Sequence, residues 1–456
     1  MQLPGHRTST KISAVVSVLA MLALAACSSS SLSSSAPSST PSSTSSSTQS
    51  SQAQSTASGS FGTLGQVCGP GSATGATATG VTASSIEVAT VADVGAASSP
   101  GLDQAFWDTG TAFTAWCNAA GGIDGRKLVL DKRDAALTDD PPIVQTSCTA
   151  DLAMVGGQAV LDDTGLADRL KCGLPDIAPY IFGPNSVNAP LKAAAFPTPN
   201  DQVFLGGVAK FFTAFPGTKQ AVGVIVPNGA AGAEQQKIFT EGLKAIGGDL
   251  VSVLEYNTTV QASWTPLVDK LRSAGVKLLL IDADLGPTAA LEEAMQTQNW
   301  WPQVQVVPPH LYASEFLKQL TVAPENFYVY TPIAPLEDAS ANPPTAQYIQ
   351  IMHTYDPSGE IGFPSVEAFS SWLLFAEAAK ACGSSLTRTC LMSKIATTTS
   401  WTGGGLTSQA NPAANAMPAC YVVLKITGSA GHLAFSRYEP ATGFDCSPDN
   451  APHIAP

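Results

Sequence analysis

From residue 82 onward, short apolar runs alternate with longer stretches in which apolar side chains recur at helical spacing. Such alternation predicts strands that are buried on both faces and amphipathic helices that cover them. A first set of strands is predicted at residues 86–92, 127–131, 152–155 and 176–180, with intervening helices at 104–119, 143–150 and 164–172. The pattern is typical of a parallel sheet covered by helices, so the chain is assigned to the α/β class.

The same order of elements then repeats in the next part of the chain. Strands are predicted at residues 221–226, 250–256, 277–281 and 305–307, with helices at 233–246, 264–274 and 287–298. Each half therefore holds about four β-α units and is expected to form one doubly wound lobe. Two such lobes in series leave a cleft between them.

The rest of the chain is expected to return to both lobes. After a strand at 327–331 come predicted helices at 345–355, 365–382 and 386–397 and a hairpin at 421–427 and 433–438. Proline-rich segments at 197–199 and 332–335 suit extended connectors, because proline fixes φ. We assign residues 82–200 and 332–398 to lobe 1, and residues 201–331 and 399–447 to lobe 2.

The amino-terminal segment has the pattern of an export signal. An apolar run covers residues 12–26 and follows Arg7 and Lys11. Its last three residues are a leucine and two alanines, and Cys27 comes directly after them. The run is short for a membrane span and has small residues at its end, as secretory signals do. Residues 24–27 resemble the lipobox of bacterial lipoproteins, which implies a signal peptide at 1–26 and lipid on Cys27. An ordinary signal peptide and an uncleaved anchor are alternatives, and both also export the chain.

Residues 28–60 are mainly serine and threonine, with alanine, glutamine and two prolines, and no charged residue lies between Lys11 and Glu87. A segment of this composition cannot bury a core. We predict a disordered tether at residues 27–81, which would hold the folded body away from a lipid bilayer. The folded body is expected to begin between residues 61 and 86.

Charge narrows the range of partners. The 456 residues carry a formal net charge of −13, which becomes −15 when Arg7 and Lys11 leave with the signal peptide. An acidic body without a basic cluster argues against nucleic acid and against electrostatic binding to anionic lipid. Membrane association is then expected to depend on the lipid at Cys27. The roughly 390 remaining residues exceed the length at which a single hydrophobic core stops growing, so two lobes are expected.

Nine cysteines become eight once Cys27 is assigned to lipid attachment. An even number in an exported chain predicts disulfides, although the sequence alone allows many pairings. Cys148 and Cys172 are predicted to pair because each precedes a strand and the two strands are expected to be neighbours. Cys382 and Cys390 flank a short loop. The other two pairs follow by elimination. The pairs are Cys148–Cys172, Cys382–Cys390, Cys68–Cys117 and Cys420–Cys446. Free buried thiols or zinc are the alternatives, but the chain has no Cys-x-x-Cys pair.

A glycine-containing turn carries a family resemblance. Residues 118–128 run from a helix end into a strand, and Gly121, Gly122 and Gly125 are expected to supply positive φ. The stretch is similar to a signature of type I periplasmic binding proteins of the branched-chain amino acid (leucine-binding) family. The acidic end of the strand at 131–134 strengthens the resemblance, which covers roughly residues 82–440. It implies two Rossmann-like lobes, joined by three crossovers, that close on a small molecule by hinge motion.

The resemblance also implies a function. Such a protein captures a small molecule outside the cell membrane and delivers it to an ABC permease, with no cofactor and no catalysis. The sequence has no Gly-x-Ser-x-Gly, His-Glu-x-x-His or phosphate-loop motif, so no catalytic or metal-binding residue is assigned. An exported sensor of the same fold is an alternative from another class, and an exported hydrolase is a more remote one.

Ligand contacts in open α/β sheets come from the loops that follow the strands. Matching these loops to the family gives the following ligand-binding candidates: Gln158, Asp162, Tyr180, Phe182, Asn228, Asp282, Asp284, His310 and Tyr312.

The candidates depart from the pattern of amino-acid binders. Loop 156–163 lacks the hydroxyls that would hold a carboxylate, and no acid to pair with an amino group stands at 310 or 312. Tyr180 and Phe182 favour an apolar or ring-shaped ligand. The alternatives are ordinary packing for the aromatic residues, helix capping for Asp282 or Asp284, and a structural hydrogen bond for His310.

Overall fold

The computed structural model describes residues 58–97, 99–203, 205 and 207–454. The predicted signal peptide, Cys27 and the first part of the tether lie outside these residues. Within them, no helix combines the length and apolar character that a membrane crossing needs.

The first sheet has five parallel strands in the order β2-β1-β3-β4-β5. Its strands are β1 (Ser85–Ala92), β2 (Lys127–Asp134), β3 (Ala153–Val155), β4 (Asp176–Ala178) and β5 (Lys192–Ala194). Between them lie α1 (Gln104–Ala120), α2 (Asp140–Ala150) and α3 (Leu166–Cys172). The glycine-containing turn after α1 has φ values of 119°, 83° and 87° at Gly121, Gly122 and Gly125, as predicted.

The second sheet has a parallel part in the order β10-β9-β8-β6-β7. Its strands are β6 (Val222–Pro227), β7 (Leu250–Tyr256), β8 (Leu278–Ile281), β9 (Val304–Val307) and β10 (Phe327–Thr331). The helices of this part are α4 (Val208–Ala214), α5 (Ala230–Ala245), α6 (Thr265–Ser273), α7 (Leu285–Thr297) and α8 (Ser314–Gln319).

The remaining elements complete both lobes. They are α9 (Pro343–Tyr355), α10 (Phe363–Cys382), α11 (Arg388–Ile395), β11 (Cys420–Ser429), β12 (His432–Glu439) and β13 (Asp445–Cys446). Helices α9 and α10 pack on α1 of the first lobe, whereas β11 and β12 extend the second sheet antiparallel to β10. The chain thus crosses between the sheets three times. The predicted α/β fold of two doubly wound lobes is confirmed.

Helix α10 lies at the centre of the first lobe. Its own side chains are mostly apolar and are buried on all faces of the helix. Trp372 of this helix stacks on Phe113 of α1, with ring centroids 5.3 Å apart. Gly156, which follows β3, lies directly against the indole: a Cβ there would come within 2.4 Å of Trp372 Nε1. Close packing of α10 on the strand ends therefore requires glycine at the start of the loop that leads to the cleft.

Residues 61–81 belong to the folded body, so the predicted tether boundary at residue 81 is too late. Phe61 is fully buried, with its ring centroid 5.1 Å from that of Phe369 in α10. Cys68 is bonded to Cys117 at the end of α1. A large aromatic ring and a covalent link help to hold this segment on the first lobe, although it is rich in glycine and threonine.

The predicted change of lobe at residue 399 is also wrong, because residues 401–415 lie on the first lobe. Trp401 is buried, and its Nε1 donates a hydrogen bond of 3.0 Å to Ser370 Oγ in α10. Asn415 Nδ2 donates to the carbonyl of Val187 at 3.0 Å. The chain reaches the second lobe only with β11.

Four short elements were not predicted, namely β5, α4, α8 and β13.

The structure joins the same four cysteine pairs that were predicted. Three of the bonds lie within or beside the first lobe, and Cys420–Cys446 joins β11 to β13. The two pairs assigned by elimination bring together residues 49 and 26 positions apart.

Candidate functional site

A cavity of about 540 Å³ lies between the two lobes, at the carboxyl ends of the parallel strands. Open α/β sheets bind ligands at this edge, because the loops that follow the strands meet there. Tyr180 and Phe182 follow β4, Asp282 follows β8, and His310 lies in the turn after β9. Both lobes and the connecting segments thus contribute to one cavity.

The wall from the first lobe is aromatic. Tyr180 stacks on Phe363 with ring centroids 5.7 Å apart, and Phe182 meets Tyr180 edge to face at 5.2 Å. Phe196 packs edge to face on Phe363 at 5.8 Å. Tyr180, Phe196 and Phe363 are buried, but Phe182 is 51% exposed and neighbouring Leu161 is 47% exposed. The wall therefore presents two apolar side chains that are not covered by protein.

The wall from the second lobe comes mainly from the first half of α5. Glu234, Gln235, Ile238 and Phe239 line the cavity, and their spacing places them on one face of the helix. Tyr330, on strand β10, also lines the cavity.

Asp282 and His310 are polar groups that line the cavity from the second lobe. His310 Nε2 lies 3.1 Å from the carbonyl oxygen of Ala283, which can only accept a hydrogen bond. We therefore assign the Nε2–H tautomer, in which Nδ1 of the neutral ring is an acceptor. Burial raises the pKa of Asp282 to about 6, with the charge of His310 opposing this shift and that of Asp284 adding to it.

Three carboxylates line the cavity, and among the described lining residues none is lysine or arginine. Asp163 accepts hydrogen bonds from Asn185 and from the backbone N–H of Ser186. Glu234 is exposed on α5. The fixed charge around the cavity is therefore negative.

Further acidic groups face each other across the cleft. Asp103 precedes α1 in the first lobe, and its Oδ2 is buried without a hydrogen-bond partner in the described part of the chain. Burial, followed by the charges of Asp93, Asp284 and Glu360, raises the pKa of Asp103 well above its usual value. Because Asp284 belongs to the second lobe, negative charge is concentrated between the lobes.

Tyr180, Phe182, Asp282 and His310 are the sequence candidates that line the cavity. The others do not line it. Asp162 is buried in an ion pair with Lys192, which also lies 3.1 Å from Asp176. Tyr312 is buried and donates a hydrogen bond to Glu337. Both side chains are thus occupied by structural partners.

The other three candidates outside the cavity differ in position. Gln158 is fully buried, and neither of its side-chain polar atoms has a partner among the described residues. Asn228 Oδ1 accepts hydrogen bonds from the N–H and hydroxyl of Thr258, both at 3.1 Å. Asp284 is exposed at the start of α7, where its side chain makes no capping hydrogen bond.

Several lining residues were not found from the sequence: Phe196, Phe363, Tyr330, Glu234 and Met417. Phe363 begins a helix that is apolar throughout, and Tyr330 lies in a buried strand, so both resemble ordinary core residues. Their position at the cavity depends on the three-dimensional arrangement of the crossovers, which the sequence pattern does not show.

No group of three or more histidine, cysteine, aspartate or glutamate side chains suited to a metal ion occurs within the described ranges. What the fold and cavity define is a two-lobed binding protein, with a largely apolar chamber formed where the lobes meet.

A family profile for periplasmic binding proteins matches residues 85–432, so the chain belongs to this family. Members of the family are extracytoplasmic substrate-binding proteins of the kind that serve ABC transporters. No functionally curated protein matches the chain.

Solved structures of the branched-chain amino acid binding type share the fold. A fatty acid ABC transporter substrate-binding protein from Thermomonospora curvata has a TM-score of 0.66 at 16% identity, over 80% of this chain and 95% of that chain. A solute-binding protein from R. palustris, in complex with 4-hydroxybenzoate, has a TM-score of 0.63 at 13% identity, over 78% and 96%. The branched-chain amino acid binding protein of Streptococcus pneumoniae, in complex with isoleucine, has 0.59 at 16%, over 78% and 100%.

Proposed function

We propose that this protein captures a small, largely apolar molecule between its lobes outside the cell membrane and delivers it to an ABC permease. The observation that carries the proposal is the cavity of about 540 Å³, to which both lobes contribute and in which aromatic and aliphatic side chains predominate. A chamber of this size and composition is typical of a small-molecule site. Reversible binding, without chemical change of the ligand, is the role that this arrangement supports.

An α-amino acid is a poor match for this cavity. Its carboxylate would need donors, but Asp162 and Asp163 in the loop after β3 are acceptors, and both are already engaged. Two similar folds carry names or ligands with apolar skeletons, a fatty acid and 4-hydroxybenzoate. They support an apolar ligand here without identifying it.

We propose that closure turns about the three crossovers. They lie between β5 and α4, between β10 and α9, and between α11 and β11. The lobes would be residues 61–195 with 336–415, and residues 208–331 with 420–454. The apolar side chains of Leu161 and Phe182, which are exposed at the cavity, would be covered by the ligand and by α5 on closure.

Binding can be tested with N-phenyl-1-naphthylamine (NPN), an uncharged apolar fluorophore at neutral pH. We expect saturable enhancement of its fluorescence and a rise in the unfolding temperature, since a ligand at 100-fold its Kd stabilises by about 2.7 kcal/mol. A panel of apolar molecules, NPN included, that gives neither saturable binding nor a thermal shift would contradict the proposed function.

We also propose that Cys27 carries the lipid that holds the protein at the cell membrane. The full chain expressed in a bacterium with lipoprotein processing should incorporate labelled palmitate, and the Cys27→Ala variant should not. A Ser28→Ala variant, which changes the next residue, is the matched control and should label normally. Equal labelling of the Cys27→Ala variant would place the anchor elsewhere.

A further inference from the structure

We propose that the ligand carries a protonated amine on its apolar skeleton and that Asp282 is the counter-ion of this amine. The inference rests on the proposed function and specifies the class of molecule that the cavity accepts.

The first argument is the free capacity of Asp282. In loops of the first lobe, Asp93 accepts hydrogen bonds from the backbone N–H of Leu137 and Val160, and Asp162 is paired with Lys192. The Asp282 carboxylate lines the cavity and accepts no hydrogen bond from any described residue. Polar groups at such depth are normally satisfied, so a donor on the ligand would complete the site.

The second argument is that the neighbouring polar group also needs a donor. His310 uses Nε2–H on the carbonyl of Ala283, which leaves Nδ1 of the neutral ring as an acceptor. Asp282 and His310 both line the cavity, so a single donor group on the ligand is offered two acceptors on the side of the second lobe. An ammonium group has three donors and no acceptor, so it can satisfy both residues at once.

The third argument is electrostatic. Because no described lining residue is lysine or arginine, a carboxylate ligand would find no permanently charged cation in the wall of the cavity. It would instead meet the charges of Asp282, Asp284 and Glu234. Burial raises the pKa of Asp282 only to about 6, so this carboxylate is largely ionised at neutral pH. A cation gains from the same charges.

The test compares decylamine, decanol and decanoate, which share one alkyl chain and differ in head-group charge. Each competes with NPN for the wild-type protein at pH 7.5 and at concentrations below micelle formation. Decylamine is expected to displace NPN at concentrations at least tenfold lower than decanoate, with decanol between them. In the Asp282→Asn variant this preference should fall to threefold or less, with the NPN affinity of the variant measured separately and used to convert displacement into affinity.

The matched control is Asp249→Asn, which removes one negative charge from the same lobe. Asp249 is exposed and precedes β7, at the edge of the sheet opposite the cavity. This variant should keep the full preference for decylamine, which excludes a simple effect of net charge.

Equal or tighter binding of decanoate to the wild type would overturn the inference, and so would a preference for decylamine that survives in Asp282→Asn. Displacement of NPN by none of the three compounds would also overturn it. If NPN itself does not bind and a wider apolar panel is also negative, the proposed function fails, and that outcome is distinct from an inverted charge preference.

Discussion

The double variant Leu161→Ala/Phe182→Ala is expected to bind NPN about 100-fold more weakly than the wild type. Both side chains line the cavity and are about half exposed in the free protein, so a ligand can bury what remains. An aromatic ring and a leucine together bury enough apolar area for about 2 to 3 kcal/mol at about 25 cal/mol per Å². Titration of NPN fluorescence measures the change.

The folded state should tolerate this change, because neither side chain fills a core position. Leu170→Ala is the matched control: Leu170 is also exposed on the first lobe, in α3, but it does not line the cavity. It should leave the affinity for NPN within twofold. Loss of less than fivefold in the double variant would show that NPN binds somewhere other than this cavity.

Glu292→Gln is expected to stabilise the protein by about 2 kcal/mol at pH 9. Glu292 in α7 is fully buried; its Oε2 accepts hydrogen bonds from Trp301 and Gln305 at 3.2 and 3.3 Å. Its Oε1 has no hydrogen-bond partner in the described part of the chain. Burial raises the pKa of this carboxyl from 4.5 to about 8, against the opposing hydrogen bonds. The protonated acid is therefore the form that the fold prefers.

The direction of the pH dependence follows from this shift. Because the pKa is higher in the folded state, the stabilising contribution of Glu292 is complete below pH 4.5 and is lost as pH rises through about 8. The wild type should lose stability between pH 5 and 9, and Glu292→Gln should lose less. Urea unfolding at several pH values measures this, with the exposed Glu293→Gln as control. Parallel pH profiles for wild type and Glu292→Gln would contradict the assignment.

Long periodic elements could be predicted from the sequence with good bounds. Strands β7 and β10 have the predicted limits, because each is rich in apolar, β-branched or aromatic residues and is bounded by aspartate, asparagine or proline. Strand β5 has only three residues and β13 has two, which is too short for periodicity to be visible. These two strands form because a neighbouring strand offers free backbone hydrogen-bonding groups: β5 pairs with β4, and β13 pairs with β11.

The candidate site could be predicted only in part. Tyr180, Phe182, Asp282 and His310 were located because they follow strands whose carboxyl ends meet in the cleft. Asp162 also lies in such a loop, but its partner Lys192 is 30 positions further along the chain. Sequence reasoning cannot see that a carboxylate is already paired by a residue so distant.

The start of the folded body is a second feature that sequence reasoning could not locate. The composition of residues 61–81 predicts a flexible tether, yet Phe61 and the Cys68–Cys117 bond hold the segment on α1 and α10. A single buried ring and a single disulfide leave no periodic pattern in a stretch rich in glycine and threonine. Composition describes the average of a segment, whereas its attachment depends on individual contacts, such as the hydrogen bonds that Arg126 donates to the carbonyls of Thr74 and Gly75.

Small-angle X-ray scattering of the folded body, with and without saturating NPN, tests the central claim most directly. If the lobes close over a ligand in the cavity, the radius of gyration should decrease on binding, and the Leu161→Ala/Phe182→Ala variant should need far more NPN for the same change. A radius of gyration that stays constant while fluorescence shows saturated binding would contradict closure of the two lobes around the ligand.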